Sequence, residues 1–386
     1  MEGSVKFPDM SEFTMAASRL CRTPILIYLC QKVIVVNFTD RINASAKLGD
    51  ILKNPDADRY HSIRKEMDEL NALVETSHLH NGWFTRDNVR FALHSLGKSL
   101  ERLKIEKWLD RYPEKIFDQE GDKTIGVVMA GNIPLVGFQD YLCVMVTGNK
   151  FLGKLSSNDN KLLPLIHRIF EKLEPGFKNK ATFTEDKLEG FEAIIATGSN
   201  NTARYFEYYF GKYPRIIRKN RNGVAVLNGD ETPEKLTALG EDIFRYYGLG
   251  CRNVSKIFVP EGYKFDALFR ALEQYAEVAA NHKYINNYDY NKSIYLVNKT
   301  EHFDNGFLIL KEDATLASPV AVVHFEYYND PDQLNHELAQ NKKQIQCIVS
   351  TDKRINDAIA PGKSQQPQLW DYADNVDTID FLMGLS

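Results

Sequence analysis

The side chain best suited to covalent chemistry is Cys251, in the run YYGLGCRNVSKIFVP at residues 246–260. A thiolate attacks thioesters and other acyl donors, and one set beside Arg252 and the amides of a helix end is predicted to have a lowered pKa. The competing reading is a small buried apolar residue, the usual state of a free cysteine. Asn132, in AGNIPLVG at 130–137, follows an apolar run and precedes a proline and a helix. From there its amide can donate to a developing oxyanion, or simply shape a turn. Lys154 and Ser156 close the run GNKFLGKLSS and suit ribose or phosphate oxygens; Lys154 reads equally well as a strand-end lysine in solvent. Gly198 and Ser199, in ATGSNNTA, stand before a helix N-terminus, which attracts pyrophosphate, although Ser199 also reads as an ordinary helix cap.

Other chemistries lack their signatures. GxGxxG, GxxxxGK[ST], HExxH and GxSxG are all absent, and the 9 His residues show no metal-ligand spacing. The run Arg215, Arg218, Lys219, Arg221 reads either as a grip for the phosphates of coenzyme A or NADPH or as a solvated basic loop. The aromatic stretch at 204–213 reads as core or interface rather than as a tunnel for an acyl chain.

These residues need a frame, and the apolar pattern supplies one. Residues 40 to about 118 read as helical, the first helix being TDRINASAKLGDILK with Thr39 or Asp40 as its cap; Leu93, Leu96, Leu100 and Leu103 share one face of a later helix. From Lys123 strands and helices alternate: TIGVVMAG, LVGFQDYLCVMVTGN, KFLGKLSS, DNKLLPLIHRIFEKL, FEAIIATG, NNTARYFEYYFG, then GVAVLNG as a fourth strand. Such spacing predicts parallel βαβ units with right-handed crossovers, an α/β doubly wound sheet whose ligands sit at the carboxyl ends of its strands. The helix ETPEKLTALGEDIFRYYGLG, with Pro233 at its first position, is expected to end at Gly248 and Gly250, just before Cys251. SKIFVP opens a second α/β unit, with SIYLVN, VAVVHFEYY and QIQCIVS as further strands and PDQLNHELAQN as a helix. The expected organisation is a poorly defined extension (1–38), a helical lead-in and dinucleotide-binding domain (39–247), a smaller catalytic α/β domain (248–352) and a C-terminal segment that docks back (353–386).

The chain has 386 residues, 43% apolar and 26% charged, which suits a folded protein of two to three domains. A net charge of −4 argues against nucleic acid as a partner. Its 5 cysteines (Cys21, Cys30, Cys143, Cys251, Cys347) are scattered, neither a disulfide framework nor a zinc site, and point to a reducing cytoplasm. The apolar run RTPILIYLCQKVIVV is interrupted by Gln31 and Lys32 and is too short to span a bilayer, so no stable membrane insertion is expected; no small-x-small cleavage site marks it as a secretory signal.

Taken in order, the four motifs carry more than any one of them. Asn after the first strand, Lys-x-Ser after the second, Gly-Ser after the third and a Gly-x-Gly-Cys resemble the aldehyde dehydrogenase superfamily. From about Arg41 to the C-terminus, with NGWFTRDNVRFAL, GNIPLVGFQDYLCVMVTGN, YYGLGCRNVSKIFVP and QPQLWDYADNVDTIDFL, the chain is similar to its LuxC-type acyl-CoA reductase branch. The resemblance implies that Cys251 is the nucleophile and that Asn132 and the Cys251 amide form the oxyanion hole. It implies that Lys154 and Ser156 hold the adenosine ribose, and that Gly198 and Ser199 lie by the pyrophosphate of NADPH, with NADH the alternative. The implied reaction reduces a fatty acyl-CoA to the aldehyde. A homodimer or larger assembly is implied as well, with an acyl-transferring protein as an optional partner. Two departures stand out. The Glu-Leu-Gly-Gly stretch that carries the general base of hydrolytic members corresponds to RIIRKNRNGVAV, which lacks a carboxylate. The Glu-x-Phe-Gly-Pro segment corresponds to ATLASPVAVV. An acyl-phosphate reductase and an inactive nucleotide-binding scaffold remain as alternatives.

Overall fold

The computed structural model describes residues 36–55, 60–113, 117 and 121–385. The apolar N-terminal run, Cys21 and Cys30 fall outside them. Four helices open the described chain: α1 Phe38–Lys53, α2 Arg64–His80, α3 Arg86–Ser99 and α4 Arg102–Leu109. Asn37, not Thr39 or Asp40, caps α1, its side chain accepting from the Asp40 amide. The leucine stripe breaks after Leu100, which caps α3, and Leu103 on the next helix is 79% exposed. Gly49 of α1 and Gly97 of α3 allow a backbone-to-backbone crossing, since a Cβ at Gly97 would lie 2.7 Å from the Gly49 carbonyl.

The alternating region builds a first sheet from β1 Thr124–Val128, β2 Lys150–Lys154, β3 Ala181–Thr184, β4 Ala193–Thr197 and β5 Arg215–Arg218. Its order is β3-β2-β1-β4-β5 and every pair is parallel. Ile125, Ile194 and Ile195 are fully buried, as expected for a sheet covered on both faces. The covering helices are α5 Phe138–Val146, α6 Leu162–Leu173 and α7 Asn200–Phe210. Pro164 is tolerated in α6 because it lies in the first turn, where its missing N–H has no helical partner to lose.

A second sheet follows, formed by β6 Asn222–Val226, β7 Val254–Pro260, β8 Phe303–Asp304, β9 Ile309–Glu312, β10 Val322–Tyr328, β11 Ile345–Ser350 and β12 Ala358–Ile359. Its order is β12-β11-β6-β7-β10-β9-β8, parallel except for the β8–β9 pair. GVAVLNG is therefore a strand, but it lies between β11 and β7 in this sheet, not fourth in the first. The chain changes sheet between Arg218 and Asn222, well before the boundary expected at 247, and α8 Pro233–Phe244 packs with the second sheet. SIYLVN is not a strand. It ends helix α10 His282–Val297, which Asn281 caps by accepting from the Lys283 and Tyr284 amides; α9 is Asp266–Leu272.

The C-terminal segment returns to the first sheet and its helices through α12 Thr378–Met383; α11 is Pro331–Gln340. Trp108 Nε1 donates to the Tyr372 hydroxyl at 2.6 Å, and the Tyr112 hydroxyl donates to Asp377 at 2.6 Å. Among the described residues no helix is long and apolar enough to cross a membrane.

Candidate functional site

A cleft of about 1260 Å³ runs between the carboxyl edge of the first sheet and the amino edge of the second. The first sheet contributes the segments after β1 and β4; the second contributes those before β6, β7, β10 and β11. Asn132, Gly198, Ser199 and Cys251 all line it.

The turn carrying Cys251 is set by α8. Thr232 and Pro233 start that helix and Leu236, Leu239, Ile243 and Phe244 bury its apolar face. It stops at Phe244, four residues short of Gly248, because Tyr246 and Tyr247 take left-handed φ of 55° and 58°, followed by Gly248 at 77°. Two successive non-glycine residues in that region are strained and need outside support. Tyr246 is buried against Phe91, and Tyr247 packs beside Trp83. Asn253, 2% exposed, satisfies the chain on both sides of the bend. Its Nδ2 donates to the carbonyls of Asp242, Ile243 and Arg245 at 3.0, 3.3 and 2.8 Å, while its Oδ1 accepts from the Gly250 amide at 2.8 Å. A Cβ at Gly250 would press on that Oδ1 at 2.8 Å, so the turn needs glycine there.

Cys251 is exposed to the cleft, yet the surrounding walls desolvate its thiol enough to raise its pKa; Arg252 is the largest opposing influence and Asp374 adds to the rise. The lowered thiol pKa expected from the sequence is thus reversed, because the walls cost the thiolate more than Arg252 returns. Arg252 itself is held by the Ser364 carbonyl at 2.6 Å.

Asn132 comes from the loop after β1. Its Nδ2 donates to the Leu249 carbonyl at 2.7 Å, two residues before Cys251, which leaves a second N–H on the same nitrogen. Ser199 caps α7, accepting from the Thr202 amide at 3.2 Å, and Gly198 keeps the chain close to that helix: a Cβ there would meet Thr202 and Phe206 at 3.0 Å. Lys154 and Ser156 are not among the residues lining this cleft. Lys154 donates to the carbonyls of Glu185 and Asp186 at 2.6 and 3.0 Å, so it is neither free in solvent nor free for a ligand without exchanging them.

The basic run is neither a solvated loop nor an open phosphate grip. Arg215 pairs with Glu207 at 3.0 Å, Arg218 is buried against Asp140 and donates to Thr378, and Arg221 pairs with Asp374 at 2.9 Å. Arg215 is exposed away from the cleft, and of the four only Lys219 is both exposed and at the cleft. The aromatic helix α7 turns Tyr205, Tyr208 and Tyr209 to solvent, and none of them lines the cleft.

Sequence reasoning missed the carboxylates. RIIRKNRNGVAV has none, but the C-terminal segment brings Asp371 and Asp374 to the cleft. Burial raises the Asp374 pKa while Arg221 and then Arg218 hold it down. Its signal in the sequence was the acidic, aromatic tail, without any hint of where that tail packs. ATLASPVAVV does reach the cleft through residues 314–318, tied by Ser255 Oγ to the Leu316 carbonyl at 2.8 Å. Among the described residues no His, Cys, Asp or Glu cluster could hold a metal ion.

No protein-family model and no curated protein sequence matches the chain. Solved structures do. A NAD-dependent aldehyde dehydrogenase from Sinorhizobium meliloti superposes with TM-score 0.57 at 10% identity, covering 84% of this chain and 73% of that one. A putative aldehyde dehydrogenase from Burkholderia cenocepacia gives 0.53 at 12% identity over 82% and 80%. The NAD+ complex of an aldehyde dehydrogenase from Bacillus cereus gives 0.54 at 13% identity over 82% and 73%. The fold is that of the aldehyde dehydrogenases: a parallel-sheet unit and a second α/β unit facing each other across a cleft.

Proposed function

We propose that the chain reduces a fatty acyl-CoA to the fatty aldehyde with a nicotinamide cofactor, NADPH in the first instance. The observation that carries this reading is a single one: Cys251, on a braced turn of one sheet, shares a cleft with Asn132 from the other, and Asn132 donates within two residues of the cysteine. Cys251 as thiolate attacks the thioester carbonyl, forming a C–S bond, and the carbonyl electrons move onto oxygen. The free N–H of Asn132 and the Cys251 amide stabilise that oxyanion, an effect of roughly 3 kcal/mol per donor in related acyl transfers. Collapse expels coenzyme A as its thiolate and leaves Cys251 acylated.

On this reading the first sheet takes the dinucleotide. The α7 N-terminus, with Gly198 and Ser199 lining the cleft, suits the pyrophosphate, and Lys154 at the end of β2 with Ser156 just beyond it would take the ribose hydroxyls by exchanging the Glu185 and Asp186 carbonyls that Lys154 holds. The cofactor supplies hydride to the acyl carbon when bound, and Asn132 holds the resulting alkoxide until the thiohemiacetal releases aldehyde and free Cys251. Hydrolysis is disfavoured because Asp374, a cleft carboxylate whose charge is felt at Cys251, is committed to Arg221 at 2.9 Å rather than free to take a proton from water. The same reading includes a cytoplasmic homodimer or larger assembly.

The test is oxidation of NADPH, with NADH in parallel, by the full chain and tetradecanoyl-CoA, run beside Cys251→Ala and with mass spectrometry for an acyl adduct. Turnover and an adduct on Cys251, both lost in the variant, are the expected result. Neither turnover nor adduct at any chain length or with either cofactor would replace this reading by the scaffold. Reduction of an acyl phosphate without coenzyme A dependence would replace it by the acyl-phosphate reductase.

A further inference from the structure

We infer that Asp159 is a positioning residue that holds the Asn132 loop in place. The loop from Gly131 to Leu135 leaves β1 and turns sharply before α5, and the turn depends on Leu135 at φ 62°, a left-handed conformation that a buried leucine adopts only under constraint. The constraint is visible. The Leu135 amide donates to Asp159 Oδ2 at 2.7 Å. Asp159 closes a tight turn after β2, its own amide donating to the Ser156 carbonyl at 3.0 Å. At the other end of the loop, Gly131 lies so close to Ser156 that a Cβ would strike that side chain. One turn, 156–159, therefore clamps the Asn132 loop at both ends, through a hydrogen bond at Leu135 and a close contact at Gly131.

Asp159 is a poor choice for stability alone. Burial pushes its pKa up to about 6, against the pull of the Leu135 and Leu162 amides. A neutral acceptor would serve those amides without the desolvation; a carboxylate binds them more strongly and holds the backbone more tightly. The contact to Leu162 supports the start of α6, which is a structural role. The contact to Leu135 reaches the segment that carries Asn132, which is a functional one if the proposed function holds, and on that reading this inference rests for its catalytic consequence.

Two substitutions separate the roles: Asp159→Asn keeps one carbonyl acceptor and Asp159→Leu keeps none. Backbone hydrogen exchange is followed in the full-length protein over residues 130–137 and 162–166. The rate of acyl-Cys251 formation from tetradecanoyl-CoA is measured by quenched mass spectrometry, with Asn132→Ala alongside and NADPH affinity as a control. We expect Asp159→Leu to speed exchange over 130–137 by tenfold or more and to slow acylation by about 10- to 100-fold. Its NADPH affinity should stay within about twofold, and Asp159→Asn should recover part of both losses.

Unchanged exchange over 130–137 would overturn the inference, whatever the activity. So would faster exchange with unchanged acylation in Asp159→Leu when Asn132→Ala is slowed, because the loop would then not need its clamp. If Asn132→Ala acylates normally while exchange still rises in Asp159→Leu, the oxyanion role of Asn132 fails and the clamp stands. Should Asp159→Leu not fold, Asp159→Asn carries the same two readouts at smaller size.

Discussion

At Cys251 burial and charge oppose each other, and their balance makes a prediction with a sign. Desolvation raises the thiol pKa, Arg252 and Arg218 lower it, and Asp374 raises it. The rate of alkylation of Cys251 by iodoacetamide should therefore climb with pH to a midpoint above the ordinary thiol value of about 8.5. Arg252→Gln, which removes a positive charge, should move the midpoint up; Asp374→Asn, which removes a negative one, should move it down. A wild-type midpoint at or below about 7 would mean that the thiolate is stabilised by something other than these groups. That the cysteine follows a glycine-bounded turn was legible in YYGLGC itself. Its titration was not, since Arg252 is a sequence neighbour while the walls that desolvate the thiol come from distant segments. Asp374 escaped notice for the same reason: Arg221, which holds it, lies 153 residues away.

Among the elements, α8 and the loop after β1 decide where the two reactive side chains go. Asn253 is the joint between α8 and the cysteine turn, and Asn253→Ala strands three helix-end carbonyls and the Gly250 amide. A loss of about 2–4 kcal/mol in denaturant unfolding is expected, from several unmade buried hydrogen bonds less local relaxation. A loss under about 1 kcal/mol would show that water replaces Asn253. Asp159 behaves in the opposite sense. Its folded pKa, about 6, lies above the unfolded value near 3.8, so the folded state holds the proton more tightly and its contribution is stabilising at low pH and is lost as pH rises through about 6. At pH 7.5 Asp159→Asn should therefore raise stability by up to about 2 kcal/mol, a gain that fades below pH 5. A stability gain with a slower acylation would mark a residue kept for position rather than for strength. Strand and helix types were mostly legible from local period, as in TIGVVMAG and FEAIIATG. SIYLVN was not, because β-branched and aromatic residues mimic a strand while the cap that makes it helical, Asn281, stands a dozen residues upstream. GVAVLNG was legible as a strand and illegible as to sheet, since its partners β7 and β11 are set by packing, not by its own period.

For the whole molecule, the central fact is that the C-terminal segment joins the two sheets around the cleft. On one side Trp108, Tyr112 and Tyr372 form a buried hydrogen-bonded chain with the helical lead-in, continued by the part-buried Asp377. On the other, Arg221, at the entry to β6, pairs with Asp374 and also donates to the carbonyls of Lys342, just before β11, and of Ile345, its first residue. Arg221 and Asp374 are 13% and 12% exposed, so solvent screening is weak and the pair is not a surface ornament. Removing one partner leaves the other as a poorly solvated charge, whereas removing both charges leaves none. Arg221→Met should accordingly lower the unfolding free energy by about 3 kcal/mol. Arg221→Met with Asp374→Asn should recover much of that, asparagine being chosen because position 374 has φ 61° and asparagine tolerates it. The cycle should give a coupling energy of about 1–3 kcal/mol by denaturant unfolding. A single-variant loss below about 0.5 kcal/mol, or strict additivity, would mean that the tail is held by its aromatic contacts alone and that Asp374 reaches the cleft without Arg221. In that case the carboxylate would be free in the cleft it shares with Cys251, and hydrolysis of the acyl-enzyme should appear as fatty acid released without cofactor oxidation.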